Sequence, residues 1–169
     1  MKHILLLRHA KSSWDDSSLD DFDRPLAKRG KKDAPRMGAF IKKSGYLPDK
    51  VYSSTAKRAR QTTRLFCEPA RLEDETITWT EDFYYGSAYD YLEAIQQSPD
   101  NAETVMLVGH NPKMEEIASL LCSDNKSYTV RMPTAALVCL EHPAVKWKQV
   151  REGTARIKWM MIPKLLKKL

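Results

Sequence analysis

Apolar residues along this chain fall into short runs and into helical stripes. The runs at residues 3–8, 50–53, 105–109 and 135–140 are brief and aliphatic, which predicts strands. Between them the period changes: Ala34, Met37, Gly38 and Ile41 recur at the spacing of an amphipathic helix that stops near Gly45. Pro35 fits best in the first turn of that helix. A second helix is predicted over residues 56–67 with Thr55 as its cap, and a third over residues 89–97. A fourth starts with Asn111 as cap and Pro112 in first position, and gathers Ile117, Leu120 and Leu121 on one apolar side.

Strands alternating with helices imply a mostly parallel sheet, covered on both faces and joined by right-handed crossovers. Ligands in such α/β folds bind beyond the carboxyl ends of the strands. Towards the end of the chain, residues 135–140, 146–151 and 155–162 read as successive strands that add an antiparallel edge. The Asp-rich segment from Asp15 to Asp23 reads as a surface loop. Neither a repeat nor a linker interrupts the pattern, so residues 1–169 are expected to form one domain.

Composition narrows the class. With 42% apolar and 30% charged residues the chain is neither disordered nor membrane-embedded, and no apolar run is long enough to span a bilayer. Arg8 interrupts the first apolar run too early for a signal-peptide core, so a cytoplasmic location is expected. Cys67, Cys122 and Cys139 have no paired spacing and read as core thiols rather than as a disulfide framework or a zinc site. The net charge of +6 is concentrated at the end, where residues 146–169 carry eight Lys or Arg against Glu152 alone. That segment reads as a solvated edge strand and terminus. No aromatic-and-basic platform accompanies it, so neither nucleic acid nor membrane is an expected partner, and a monomer is expected.

Two strand ends carry the candidate chemistry. Arg8-His9 follows the first apolar run, and Gly109-His110 follows the third. A phosphoryl site needs concentrated positive charge, fixed donors and an in-line nucleophile. Arg8 and Arg58 can each give forked, charge-assisted hydrogen bonds that match phosphate geometry. His9 is the candidate nucleophile, and would need its other ring nitrogen held by an acceptor such as a backbone carbonyl. His110 can donate to a nonbridging oxygen, its positive form balancing the dianion. Arg58 lies in the first turn of the second predicted helix, where a cation opposes the helix dipole and a bound anion would remove the conflict. Lys57, Arg60 and Arg64 read as solvated.

These segments resemble the histidine phosphatase superfamily, also called phosphoglycerate mutase-like. Arg8-His9-Ala10 is similar to the family's Arg-His-Gly signature, with alanine for glycine. Residues 53–62 resemble the segment that carries the second arginine, with Arg58 at the matching position, and Gly109-His110-Asn111-Pro112 resembles the segment of the second histidine. The short length, with Arg24-Pro25-Leu26-Ala27-Lys28-Arg29-Gly30 and Asp33-Ala34-Pro35-Arg36-Met37-Gly38, is most similar to phosphohistidine phosphatases of the SixA type.

The resemblance implies a three-layer α/β/α sandwich, and a covalent phosphohistidine at His9 that water later hydrolyses. Arg8, Arg58 and His110 would hold the phosphoryl group, with no metal or cofactor needed. Larger relatives add a carboxyl group that protonates the leaving oxygen. The matching stretch here offers Glu81 and Asp82, each of which reads as readily as a surface carboxylate. Imidazole leaves a phosphoramidate with less proton donation than an alkoxide leaves an ester, so a missing acid favours phosphohistidine on a protein as substrate. A mutase, a general phosphatase of small phosphoesters and a non-catalytic binder of phosphorylated partners use the same groups and remain alternatives.

Overall fold

The chain opens with β1 (Lys2–Arg8), whose residues Ile4, Leu5, Leu6 and Leu7 are all fully buried. Successive side chains of a strand point to opposite faces, so an uninterrupted apolar run belongs to a strand covered on both sides. Ile4 and Leu6 join one hydrophobic core and Leu5 and Leu7 the other.

The computed structural model describes residues 1–123 and 130–169. After β1 come α1 (Lys28–Ser44), β2 (Lys50–Ser54), α2 (Lys57–Ala70), β3 (Ile77–Thr80), the single turn α3 (Asp82–Tyr85), α4 (Ala88–Gln96), β4 (Thr104–Gly109) and α5 (Lys113–Ser123). β5 (Leu137–His142), β6 (Arg156–Met161) and the short α6 (Pro163–Leu166) complete the order. The six strands form one sheet in the order β3-β2-β4-β1-β5-β6. The first four are mutually parallel, while β5 runs antiparallel to both β1 and β6.

Helices cover both faces, as the pattern predicts. Tyr91 and Ile95 of α4 and Ile117 and Leu121 of α5 pack with Val105 and Leu107 of β4. Met37 and Ile41 of α1 and Phe66 and Cys67 of α2 pack with Met106 and Val108 on the other face. α1 and α2 cross closely at Gly38, where an added Cβ would lie 2.0 Å from the Phe66 carbonyl oxygen.

Several expectations are corrected. Residues 146–151 are not a strand: Trp147–Gln149 is a 3₁₀ turn. Trp147 and Val150, three apart, both face the core, and the Trp147 indole donates to the Ala102 carbonyl at 2.9 Å. Helical spacing was present in that segment, and the burial of one large ring decided between the periods. The edge strand β3 lies outside the predicted elements although Ile77-Thr78-Trp79-Thr80 alternates apolar and polar residues, a run of only four positions that are at most partly buried.

Helix boundaries also moved. α1 begins at Lys28, a full two turns before Pro35, which lies inside the helix and leaves only the Lys31 carbonyl without its usual donor. α2 begins at Lys57 and Thr55 does not cap it; the Thr55 hydroxyl is buried without a partner among the described residues. α5 begins at Lys113, and the Asn111 amide donates instead to the Met132 carbonyl at 3.1 Å.

The basic terminus folds largely as the solvated edge expected. Lys158 on β6 pairs with Glu141 at 3.0 Å, while Lys167 reaches the buried carboxylate of Asp33 in α1 at 3.3 Å. Among the described residues no helix is long and apolar enough to cross a membrane.

Candidate active site

Strand order brings the two histidines together. In the parallel pair β1 and β4, Arg8 lies opposite Gly109, so His9 and His110 leave the sheet side by side at its carboxyl end. The His9 amide donates to the Gly109 carbonyl at 3.0 Å, and the two imidazole rings are 5.1 Å apart. β2 borders β4 and delivers α2, whose second residue is Arg58. The Arg58 Nε lies 3.4 Å from His9 Nε2. Arg8 donates to the Met132 carbonyl at 2.8 Å on the other side of the site. All four predicted residues therefore meet at one sheet edge.

His9 is held in one tautomer. Its Nδ1 lies 2.7 Å from the Ala10 carbonyl, an acceptor only, so Nδ1 carries the proton and Nε2 the lone pair. Burial pushes the His9 pKa down to about 3, the Ala10 hydrogen bond opposes this, and the guanidiniums of Arg58, Arg8 and Arg24 add to it. The ring is neutral throughout the physiological range. The Ala10 amide is anchored to the Thr62 hydroxyl at 2.9 Å, and that hydroxyl donates to the Arg58 carbonyl at 2.7 Å, which ties the β1 end to α2.

Burial, with His9, Arg58 and Lys113 nearby, pushes the His110 pKa down to about 2, so its ring is neutral before any phosphoryl group is bound. Its Nε2 is 2.8 Å from the Ser54 hydroxyl at the end of β2. Its Nδ1 and the Nε of Arg8 are both buried without a partner among the described residues. Such groups cost about 1–3 kcal/mol each if left unmet. Arg8 Nε is a donor, and His110 Nδ1 is one where the Ser54 hydroxyl donates to Nε2.

Pattern reading missed the second ring of side chains. Asp21 belongs to a 3₁₀ turn, Asp21–Asp23, within the segment read as a plain surface loop. Its carboxylate accepts from Arg58 Nη2 at 2.9 Å, Arg24 Nη1 at 2.9 Å and the Tyr84 hydroxyl at 2.7 Å. The Tyr84 ring in turn stands edge-on to His110, with centroids 5.3 Å apart. The Lys113 ammonium donates to the Tyr84 carbonyl. No local signal separates Asp21 from the other acids of its run. Glu81 and Asp82 are both exposed. Lys57 is half-buried and Arg60 exposed, while Arg64 is exposed and stands over the Trp79 ring.

Among the described residues no group of three or more His, Cys, Asp or Glu side chains is placed to hold a metal ion. The arrangement sets Arg8 and Arg58 around two neutral imidazoles, of which His9 is held in one tautomer.

Comparison with known proteins agrees with this geometry. Residues 4–101 match the model of the histidine phosphatase superfamily, branch 1. An uncharacterized chloroplastic protein of Arabidopsis thaliana is 32% identical over 156 residues, which cover 88% of this chain and 70% of that protein. An uncharacterized protein of Mycobacterium tuberculosis is 31% identical over 94% of this chain and its own full length. Among solved structures, the putative phosphohistidine phosphatase SixA from Agrobacterium tumefaciens superposes with a TM-score of 0.79 at 30% identity, covering 96% of this chain and 98% of that one. The fold is the phosphoglycerate mutase-like α/β sandwich of that neighbour, and the family supports phosphatase chemistry. With residues 4–101, more than half of its length, matched by the family model, the chain belongs to the histidine phosphatase superfamily.

Proposed function

We propose that this protein is a phosphatase that removes the phosphoryl group from phosphohistidine on a partner protein, through a covalent phosphohistidine of its own at His9. The observation that carries the reading is the His9 ring, buried and neutral, with Nδ1 fixed on the Ala10 carbonyl and Nε2 beside the Arg58 guanidinium.

In the first step the Nε2 lone pair forms a bond to phosphorus as the substrate's own N–P bond breaks. The departing imidazole leaves with that electron pair and takes a proton from water. As the His9 ring gains positive charge, the Ala10 carbonyl faces its Nδ1 proton. In the second step a water oxygen attacks phosphorus, the Nε2–P bond breaks with its electron pair returning to Nε2, and one proton of that water neutralises the hydroxide left by the first step as phosphate leaves. Arg8, Arg58 and His110 would meet the equatorial oxygens, and donors aimed at developing charge are worth on the order of 3 kcal/mol each. With the Ser54 hydroxyl donating to His110 Nε2, the Nδ1 proton is free to serve.

Substrate choice follows from the leaving group. Asp21 is held ionised by its donors, and the Glu81 and Asp82 side chains are exposed. A site without a placed acid favours imidazole over alkoxide departure. The three free cysteines fit a reducing compartment, so a cytoplasmic phosphoprotein is the expected partner.

Rapid mixing with a histidine-phosphorylated protein carrying labelled phosphate, followed by alkaline quench and peptide mapping, should find acid-labile label on His9. Label elsewhere or none would end the covalent assignment. Equal turnover of the phosphoprotein and an alkyl phosphate would end the substrate assignment and favour a general phosphatase.

A further inference from the structure

Three donors of the site converge on one carboxylate that the steps above do not use. Asp21 Oδ1 accepts from Arg24, and Oδ2 from both Arg58 and Tyr84. The backbone carbonyl of Asp21 also accepts from Arg58 Nη1 at 2.6 Å. Both terminal nitrogens of Arg58 are thus bound to a single residue, while its Nε faces His9 Nε2. Arg24 is itself fixed, donating to the Ser13 carbonyl at 3.1 Å and the Ser12 hydroxyl at 2.5 Å. The turn is pinned from the other side by Phe22, whose ring meets Tyr84 edge-on at 5.0 Å.

We propose that Asp21 is a positioning residue for phosphoryl transfer, holding the end of the Arg58 guanidinium so that its lateral edge faces the group on His9. This rests on the reading of Arg58 as a phosphoryl ligand. A long arginine side chain has rotamer entropy to lose, and fixing its far end in advance removes that cost from the reaction. A guanidinium carries five N–H groups, and Asp21 engages one on each terminal nitrogen. The Nε proton is directed at His9 Nε2, and is released to a phosphoryl oxygen once that lone pair bonds phosphorus.

The opposite reading makes Asp21 a stand-in for phosphate that must be expelled before substrate binds. Geometry favours positioning. The Asp21 side chain is 49% exposed at the mouth and grips the end of Arg58, whereas the contact with the nucleophile is made by Nε. Asp21 also answers the helix-dipole conflict at the start of α2, since it supplies an internal anion to the first-turn cation.

A double-mutant cycle tests this. Asp21→Ala, Arg58→Ala and the pair are compared for hydrolysis of phosphoimidazole and for inorganic phosphate affinity by calorimetry, with thermal unfolding of each. A misplaced catalytic group costs up to about a hundredfold, so Asp21→Ala should lower kcat/KM by about ten- to a hundredfold, mostly in kcat. In the Arg58→Ala background the same change should cost less than about twofold, because its route is already lost. Asp21→Asn, which keeps one acceptor oxygen, should fall between and carries the cycle if the alanine variant does not fold. Unchanged or faster turnover with tighter phosphate binding would identify a competitor instead. Additive losses would assign Asp21 a purely structural role. Should wild type hydrolyse only phosphoesters, the substrate assignment fails while the cycle is still read on an ester.

Discussion

His9 Nε2 and Arg58 Nε stand 3.4 Å apart across a sheet edge, although 49 residues separate them in sequence. The Nε–H of a permanent cation points at the lone pair of a neutral imidazole, so a phosphoryl group that takes that lone pair finds the guanidinium beside its oxygens. Replacing His9 by alanine should abolish turnover while inorganic phosphate still binds. Calorimetry beside a hydrolysis assay reads both, and residual turnover by His9→Ala would remove His9 as nucleophile.

Arg58→Ala should weaken phosphate binding and rate together, by roughly a hundredfold or more in kcat/KM. The measurement is steady-state kinetics with a phosphoramidate. A loss under about threefold would mean that Arg8 alone balances the anion, since a transition-state donor is worth far more than that.

Acid should destabilise the fold early. His9 and His110 have pKa values of about 3 and about 2 against an ordinary 6.5, so the unfolded chain binds more protons below that value. Their contribution is complete above pH 6.5 and is lost as pH falls toward 3, at up to about 1.4 kcal/mol per pH unit for each ring. His3 and His142, also lowered by burial, act with the same sign. Urea unfolding between pH 4.5 and 7 should show the slope, and a His9→Asn/His110→Asn protein should show much less of it. A wild-type stability flat over that window would contradict the buried neutral rings.

Gly109→Ala should damage both stability and rate. An added Cβ would lie 2.0 Å from the Tyr91 hydroxyl, which is buried, stacked on Phe83 and bonded to the Phe83 carbonyl at 2.8 Å. Overpacking of this type costs about 1–3 kcal/mol. The shift would also move His110, whose amide faces the same hydroxyl at 3.4 Å. Thermal unfolding with kinetics checks this; a variant equal to wild type in both would mean that β4 yields at its end.

Glu81→Gln and Asp82→Asn should each leave phosphohistidine hydrolysis within about twofold, as exposed surface changes do. A large selective loss in either would identify the proton donor and reopen phosphoesters as substrates.

Much of the site was legible because a strand covered on both faces writes itself as an unbroken apolar run. The residues just after Leu7 and Val108 had to lie at strand ends, and a parallel sheet sends such ends to one side. Trp147 marks the limit of that logic, since one buried ring made a 3₁₀ turn of a segment that also fits a strand. Pro35 marks another, where the packing of α1 against α2 outweighed a lost helix hydrogen bond.

The sequence by itself determined the alternation of strands and helices, and the four cationic or imidazole groups that end or follow those strands. Tertiary structure alone decided the protonation of His9, because the acceptor for its Nδ1 and the burial of its ring arise only when β1 is seated in the sheet. It alone decided Asp21 as well. One acid among several in a polar run has no distinguishing neighbour in sequence, and its partners Arg24, Arg58 and Tyr84 come from separate segments that meet only when the chain closes around its core.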